Sequence, residues 1–142
     1  MPTPVYSVCK DIVDLLHTNS LGTFGTDLYI GKEPAEVQSC VTIYQYGGHD
    51  PDPKFRLNYP SIQIRVKGDV NGYSVAEQKM QSIVNVLLGM AKQTINSNVY
   101  VGVWQIADTM FLKYDENEHP IFVSNWRIAV QPSISDNRIA LG

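Results

Sequence analysis

No apolar run in this 142-residue chain approaches the ~18 to 20 residues of a membrane span, and the N-terminus has no basic segment followed by a signal-peptide core. The expectation is a protein with no membrane partner that stays in the cytosol where it is made. Charge of one sign is also lacking. The net charge is -3, and charged residues make up 18% of the chain, so no general attraction draws it to nucleic acid or an anionic surface. Only two cysteines occur, Cys9 and Cys40. One bridge is conceivable, but a reduced, buried pair fits a cytosolic domain of this size better. No Gly-x-Ser-x-Gly elbow and no Walker-type loop is present, and neither cysteine has a neighbouring histidine in a nucleophile context. Internal repeats, low-complexity tracts and dividing linkers are missing too.

What is present describes one globular domain. With 44% hydrophobic residues, a chain of this length buries roughly two thirds of the surface its unfolded form exposes. Thr3 can cap a first helix with Pro4 at its first position. Val5, Val8, Cys9, Ile12, Val13 and Leu16 then repeat at helical spacing, up to an end near His17 to Ser20. Residues 20–36, punctuated by Gly22, Gly25, Gly31 and Pro34, read as a surface connection with a short extended piece at Leu28-Tyr29-Ile30.

From Val37 to Tyr46, β-branched and aromatic residues argue a strand. From Ser61 to Lys67 the alternation is strict, with Ile62, Ile64 and Val66 on one face and Ser61, Gln63, Arg65 and Lys67 on the other. Ser74-Val75-Ala76-Glu77 has the form of a capping box. Met80, Ile83, Val84, Leu87, Leu88 and Ala91 then stripe a second helix. The last third is β-rich. Val99, Val101 and Val103 alternate with Tyr100, Gly102 and Trp104, a separate strand is expected over Thr109–Tyr114, and Phe122, Ser124, Trp126, Ile128 and Val130 share a face of a final strand.

The resulting expectation is an α+β domain over residues 1–132, a mostly antiparallel or mixed sheet of about five strands with two helices packed on one face. Residues 133–142 are expected to form a C-terminal tail that orders only on assembly. Tyr44, Tyr46, Tyr100 and Trp104 fall on the opposite sheet face, either covering one another or the loop, or contacting another subunit.

Three clusters invite chemical readings. His49, Asp50 and Asp52 are close enough to suggest a metal, but Pro51 and Pro53 stiffen that loop and no second ligand cluster accompanies it. Asp115, Glu116 and Glu118 resemble a carboxylate site, yet an acidic run between strands is ordinarily a solvated turn. Lys54, Arg56, Arg65 and Lys67, interleaved with Phe55 and Tyr59, are the one basic concentration; on an acidic chain four such charges more often mark a solvated or ion-pairing face than a DNA contact. The loop Gly47–Leu57 is instead expected to project from the sheet and dock on a partner through His49, Asp50, Asp52, Lys54, Phe55 and Arg56. Ile139 and Leu141 of the tail are expected to do the same.

The Gly25-Thr26-Asp27-Leu28-Tyr29 segment, the strand closing in Gly47-Gly48, the Asp50-Pro51-Asp52-Pro53 loop, and Tyr59-Pro60 leading into Ile62–Gly68 and a capped helix resemble bacteriophage minor capsid proteins of the tail-terminator class. The resemblance covers about residues 15 to 92, and from Val99 onward only the β-rich pattern is similar. It implies a structural virion protein without cofactor. Such subunits close into a ring, commonly of six, at the head-proximal end of the tail tube of a long-tailed phage. The partners implied are further copies of the chain, the tail tube protein and the head connector or completion protein, with genomic DNA passing through the lumen without sequence-specific binding. Its location would be the virion neck, and the host cytoplasm during assembly. Another neck or head-completion subunit, a monomeric adaptor binding through the aromatic sheet face, or a small cytosolic enzyme are the alternatives.

Overall fold

The computed structural model describes residues 6–35, 38–134 and 136–140. In chain order the elements are α1 (Val8–Thr18), β1 (Leu28–Ile30), β2 (Cys40–His49), β3 (Tyr59–Lys67), α2 (Tyr73–Leu87), β4 (Gln93–Ile95), β5 (Asn98–Tyr114) and β6 (Pro120–Gln131). Six strands, rather than the expected five, form one sheet in the order β1-β2-β3-β6-β5-β4. β1 runs parallel to β2 and every other neighbouring pair is antiparallel, so the sheet is mixed.

Both helices bury their stripes in one apolar cluster with the sheet. Val8, Ile12 and Leu16 of α1 and Met80, Ile83 and Leu87 of α2 are fully buried there with Ile43, Ile62, Ile64 and Trp126. The alternation of β3 and β6 holds: Ile62, Ile64 and Val66 stand opposite Trp126, Ser124 and Phe122, and Gln63, Arg65, Asn125 and Arg127 point to the other face. The indole of Trp126 donates to Ser124 Oγ at 2.8 Å. Cys9 and Cys40 are both buried free thiols, and burial pushes each up to about 11.

The helix starts differ from expectation. Thr3, Pro4 and Val5 lie outside the described residues, as does Val37 at the expected start of the second strand. Within the described chain α1 is capped by Ser7, whose hydroxyl accepts from the Lys10 amide at 3.3 Å. α2 does not use the Ser74–Glu77 box. Its N-cap is Gly72 without a side-chain cap, and Ser74 is already inside the first turn. The Tyr73 ring packs 5.2 Å from Phe111 and 4.9 Å from Phe122, and that contact draws the helix start toward the sheet. At the other end Leu88 lies past the last turn, half exposed, where Gly89 takes φ +75°.

The larger correction concerns β5. The two strands expected over residues 99–104 and 109–114 are a single 17-residue strand with irregular register. Tyr100 pairs with Val130 and Gly102 with Ala129, so two steps on β5 oppose one on β6, which reverses the inward–outward parity. Tyr100 is therefore in the core at 0% exposure while Val101 faces out at 43%. Asp11 of α1 holds that position: its carboxylate accepts from the Tyr100 hydroxyl, from Asn98 Nδ2 at 2.8 Å and from Asn96 Nδ2 at 2.8 Å. Burial, reinforced by the Asp11 contact, raises the Tyr100 phenol and keeps it a donor. β4 escaped the sequence reading altogether. Its hairpin to β5 turns through Asn96 and Ser97, at φ +51° and +69°, the geometry of a two-residue hairpin loop.

Leu87 is fully buried, so Leu87→Ala is expected to lower stability by about 2 to 5 kcal/mol, measured by denaturant unfolding. A variant as stable as the parent and defective only in assembly would place this face of α2 against a partner instead of the sheet.

Candidate assembly surface

Cover ends partway along β5. Nine of the twelve residues of β6 are buried, but no residue of β5 after Val103 is. Six of the thirteen large apolar side chains exposed among the described residues lie on this one strand: Val101, Trp104, Ile106, Met110, Leu112 and Tyr114. Exposed apolar groups concentrated like this mark a surface meant for covering. A second irregularity, between Ile106 and Met110 with Ala107 at φ +64°, bends the strand without hiding them. The Trp104 ring comes close to Gly102, where a Cβ would meet the indole at 2.9 Å, yet the side chain remains 51% exposed.

The end of β2 faces the same surface. An open groove of about 690 Å³ is lined by His49, Asp50, Tyr59, Trp104, Gln105, Ile106 and Arg127. His49 reaches it because β2 and β3 slip register between Gln45 and Gly48. Only glycine fits at 48, since φ is +137° and a Cβ would sit 2.2 Å from the Tyr59 carbonyl oxygen. Of the expected aromatic patch, Trp104 and Tyr46 are exposed, Tyr44 is partly covered, and Tyr100 is removed to the core by the bulge.

The remaining expected residues meet elsewhere. Asp52 accepts from the Lys54 and Phe55 amides at 2.8 and 2.7 Å, closing a turn, and the Lys54 ammonium lies 5.2 Å from the Phe55 ring centroid. Against this turn runs the C-terminal segment. The Arg56 amide donates to the Ile139 carbonyl at 2.8 Å and the Ile139 amide to the Lys54 carbonyl at 2.8 Å. Arg138 fastens the pair. Its guanidinium donates to the Asp52 carbonyl at 3.2 Å and to Asn58 Oδ1 at 2.8 Å, and forms an ion pair with Asp136 at 3.0 Å. Phe55 and Ile139, separated by most of the chain, thus form a parallel bridge. Leu141 lies outside the described residues.

The other chemical readings dissolve into local structure. Asp115 accepts from the Asn117 and His119 amides, at 2.9 and 2.8 Å, as a turn cap, with Glu116 and Glu118 exposed beside it. Among the described residues no three His, Cys, Asp or Glu side chains are grouped to hold a metal ion. The basic residues are dispersed: Lys67 is 4% exposed beside Asp115, Arg56 faces Asp136, and Arg65 sits on the sheet. Sequence reasoning missed Asp136 and Arg138 as clasp residues and Met110, Leu112 and Tyr114 as exposed surface. Met110-Phe111-Leu112 held a signal, because consecutive apolar residues in a strand supply both faces.

The clasp has a pH sign. Backbone amides of Phe55 and Lys54 hold the Asp52 carboxyl below its ordinary value, and the Arg138 hydrogen bonds do the same for Asp136. Groups depressed on folding stabilise above the unfolded carboxylate value of about 3.9 and lose that contribution as pH falls through the folded value. NMR should therefore show the Phe55 and Ile139 amides shifting together below about pH 4, while core amides such as Ile64 stay fixed. Arg138→Ala should release them at neutral pH. Simultaneous movement of the core would mean global acid unfolding instead.

Comparison with known proteins follows the same lines. A chain in the virion of a native gene transfer agent particle has this fold, with a TM-score of 0.68 at 16% identity, covering 89% of this chain and 96% of that one. No curated protein matches the sequence. The model of the bacteriophage tail terminator protein family matches residues 15–132, well beyond the 15–92 span of the resemblance, and the chain belongs to that family.

Proposed function

We propose that this protein forms a ring of six at the head-proximal end of the tail tube of a long-tailed phage, ending tube growth and joining the tail to the head connector. The family is one of structural virion proteins rather than enzymes. Within it, the observation that carries the ring is the uncovered run of β5, with its exposed Trp104, Ile106, Met110 and Leu112. A subunit that closes a ring needs two different complementary patches, and one of them must be covered only on assembly.

The remaining surfaces are assigned on the same reading. Gln63, Arg65 and Asn125, on the same sheet face as Trp104 and Ile106 but nearer its middle, would border the lumen, passing DNA without reading its sequence. Gln63 and Asn125 are already paired there at 3.1 Å, which presents amides more than charge. The 49–58 corner and the segment 136–140 would meet the neighbouring subunit, the tube or the connector. A clasp held by a few partly buried hydrogen bonds would tighten on docking. Assembly would take place in the host cytoplasm. No helix among the described residues is long and apolar enough to cross a membrane.

Native mass spectrometry of the purified chain, with electron microscopy of particles made without it, tests the proposal. The expected results are a discrete ring and, in its absence, tails of uncontrolled length lacking heads. A monomer at every concentration, together with normal tails in its absence, would reject the function. Tails of normal length that fail only to join heads would instead indicate a different neck subunit.

A further inference from the structure

The sheet leaves two stretches of edge unpaired, in complementary places. β1 covers β2 only at Val41–Ile43, and β4 covers β5 only over Asn98–Tyr100. Among the described residues no other backbone hydrogen bond reaches the far edge of β2 over residues 44–49 or of β5 over residues 101–114. Free edges of this length are templates for another strand.

We infer that the free edge of β5 pairs, antiparallel, with residues 44–49 of β2 from a second copy of the chain, continuing the sheet from subunit to subunit. This rests on the ring proposed above and names the edges that make it. Strand direction supports it: β2, β3, β6 and β5 alternate, so β5 runs opposite to β2. A copy rotated about an axis along the strands brings its β2 beside β5 in the antiparallel sense, and that head-to-tail contact closes into a ring rather than a dimer. Height supports it as well. Gln45, Ile62, Trp126 and Gln105 stand in one row across the sheet, and Tyr44, Gln63, Asn125 and Ile106 in the next, so the free part of β2 lies level with Trp104 and Ile106. β1, by contrast, stands in the row of Phe111, away from this tract. Tyr44 and Tyr46 of one copy would then lie across from Trp104 and Ile106 of the next, apolar cross-strand pairs that cover part of the uncovered row.

Disulfide trapping in the full-length chain tests this. Tyr46→Cys is combined in turn with Trp104→Cys, Ile106→Cys and Met110→Cys, all at exposed positions. Paired strands bring Cβ atoms close to disulfide range, whereas β2 and β5 within one chain are three strand spacings of ~4.8 Å apart. After confirming the ring by native mass, mild oxidation should convert at least one double variant into a covalent ladder reaching the full ring, with no ladder from any single variant. An intact ring with no ladder in any pair would overturn the edge pairing and leave the ring standing. A ladder seen only when tail tube protein is added would still show the two edges pairing between copies, whereas a cross-linked product containing tube protein in place of a ladder would overturn it. Efficient dimers from Trp104→Cys alone would show β5 meeting β5, which also overturns it. Absence of any ring would end both readings.

Discussion

One buried carboxylate fixes the start of the strand that carries the exposed row. Asp11, 2% exposed on α1, receives the Asn96 and Asn98 amides and the Tyr100 hydroxyl, tying α1 to the β4–β5 turn and to the first residues of β5 at once. A buried charge persists only if it is fully hydrogen-bonded, so the sequence between residues 96 and 100 has little freedom to move. With Tyr100 held inward, the extra residue at 101 bulges outward, and further along the strand Phe111 packs against Tyr73 of α2 while Trp104 and Ile106 stand on the opposite face. The exposed row of β5 stands on the sheet face opposite the helices, level with Arg127 and Asn125.

The same economy shapes the other end of the surface. Gly48 lets the end of β2 fold across Tyr59, which turns His49 and Asp50 toward Trp104 and makes the groove. The clasp then fixes the following turn by long-range contacts, since Arg138 reaches Asp52 and Asn58 from the opposite end of the chain. Sheet, corner and clasped tail together make one side of the subunit. The sheet part offers backbone edges and apolar side chains, and the tail part is held against the corner by Arg138.

Local pattern carried much of the fold. The strict alternation of Ser61–Lys67 and the stripe of Met80, Ile83 and Leu87 are set by burial of one face, so they could be read directly and reappear as β3 and α2. The order of elements over residues 15–92 was enough for the tail-terminator resemblance, which the family match bears out. What was hidden depends on partners distant in sequence. The bulge after Tyr100 is fixed by β6 and Asp11, the start of α2 at Gly72 by the rings of Phe111 and Phe122, and the clasp by residues more than eighty positions apart. Periodicity cannot report such choices, because the same run of residues satisfies either parity until its neighbour is known.

The central claim is that β5 beyond Val103 is a subunit contact. Hydrogen exchange on the free subunit and on assembled particles addresses it directly. The account predicts that amides within residues 101–114 on the unpaired edge exchange rapidly in the free subunit and become strongly protected on assembly, while those facing β6 are protected in both. Equal, rapid exchange of the edge amides in both states would contradict it, and the apolar row would then need another explanation.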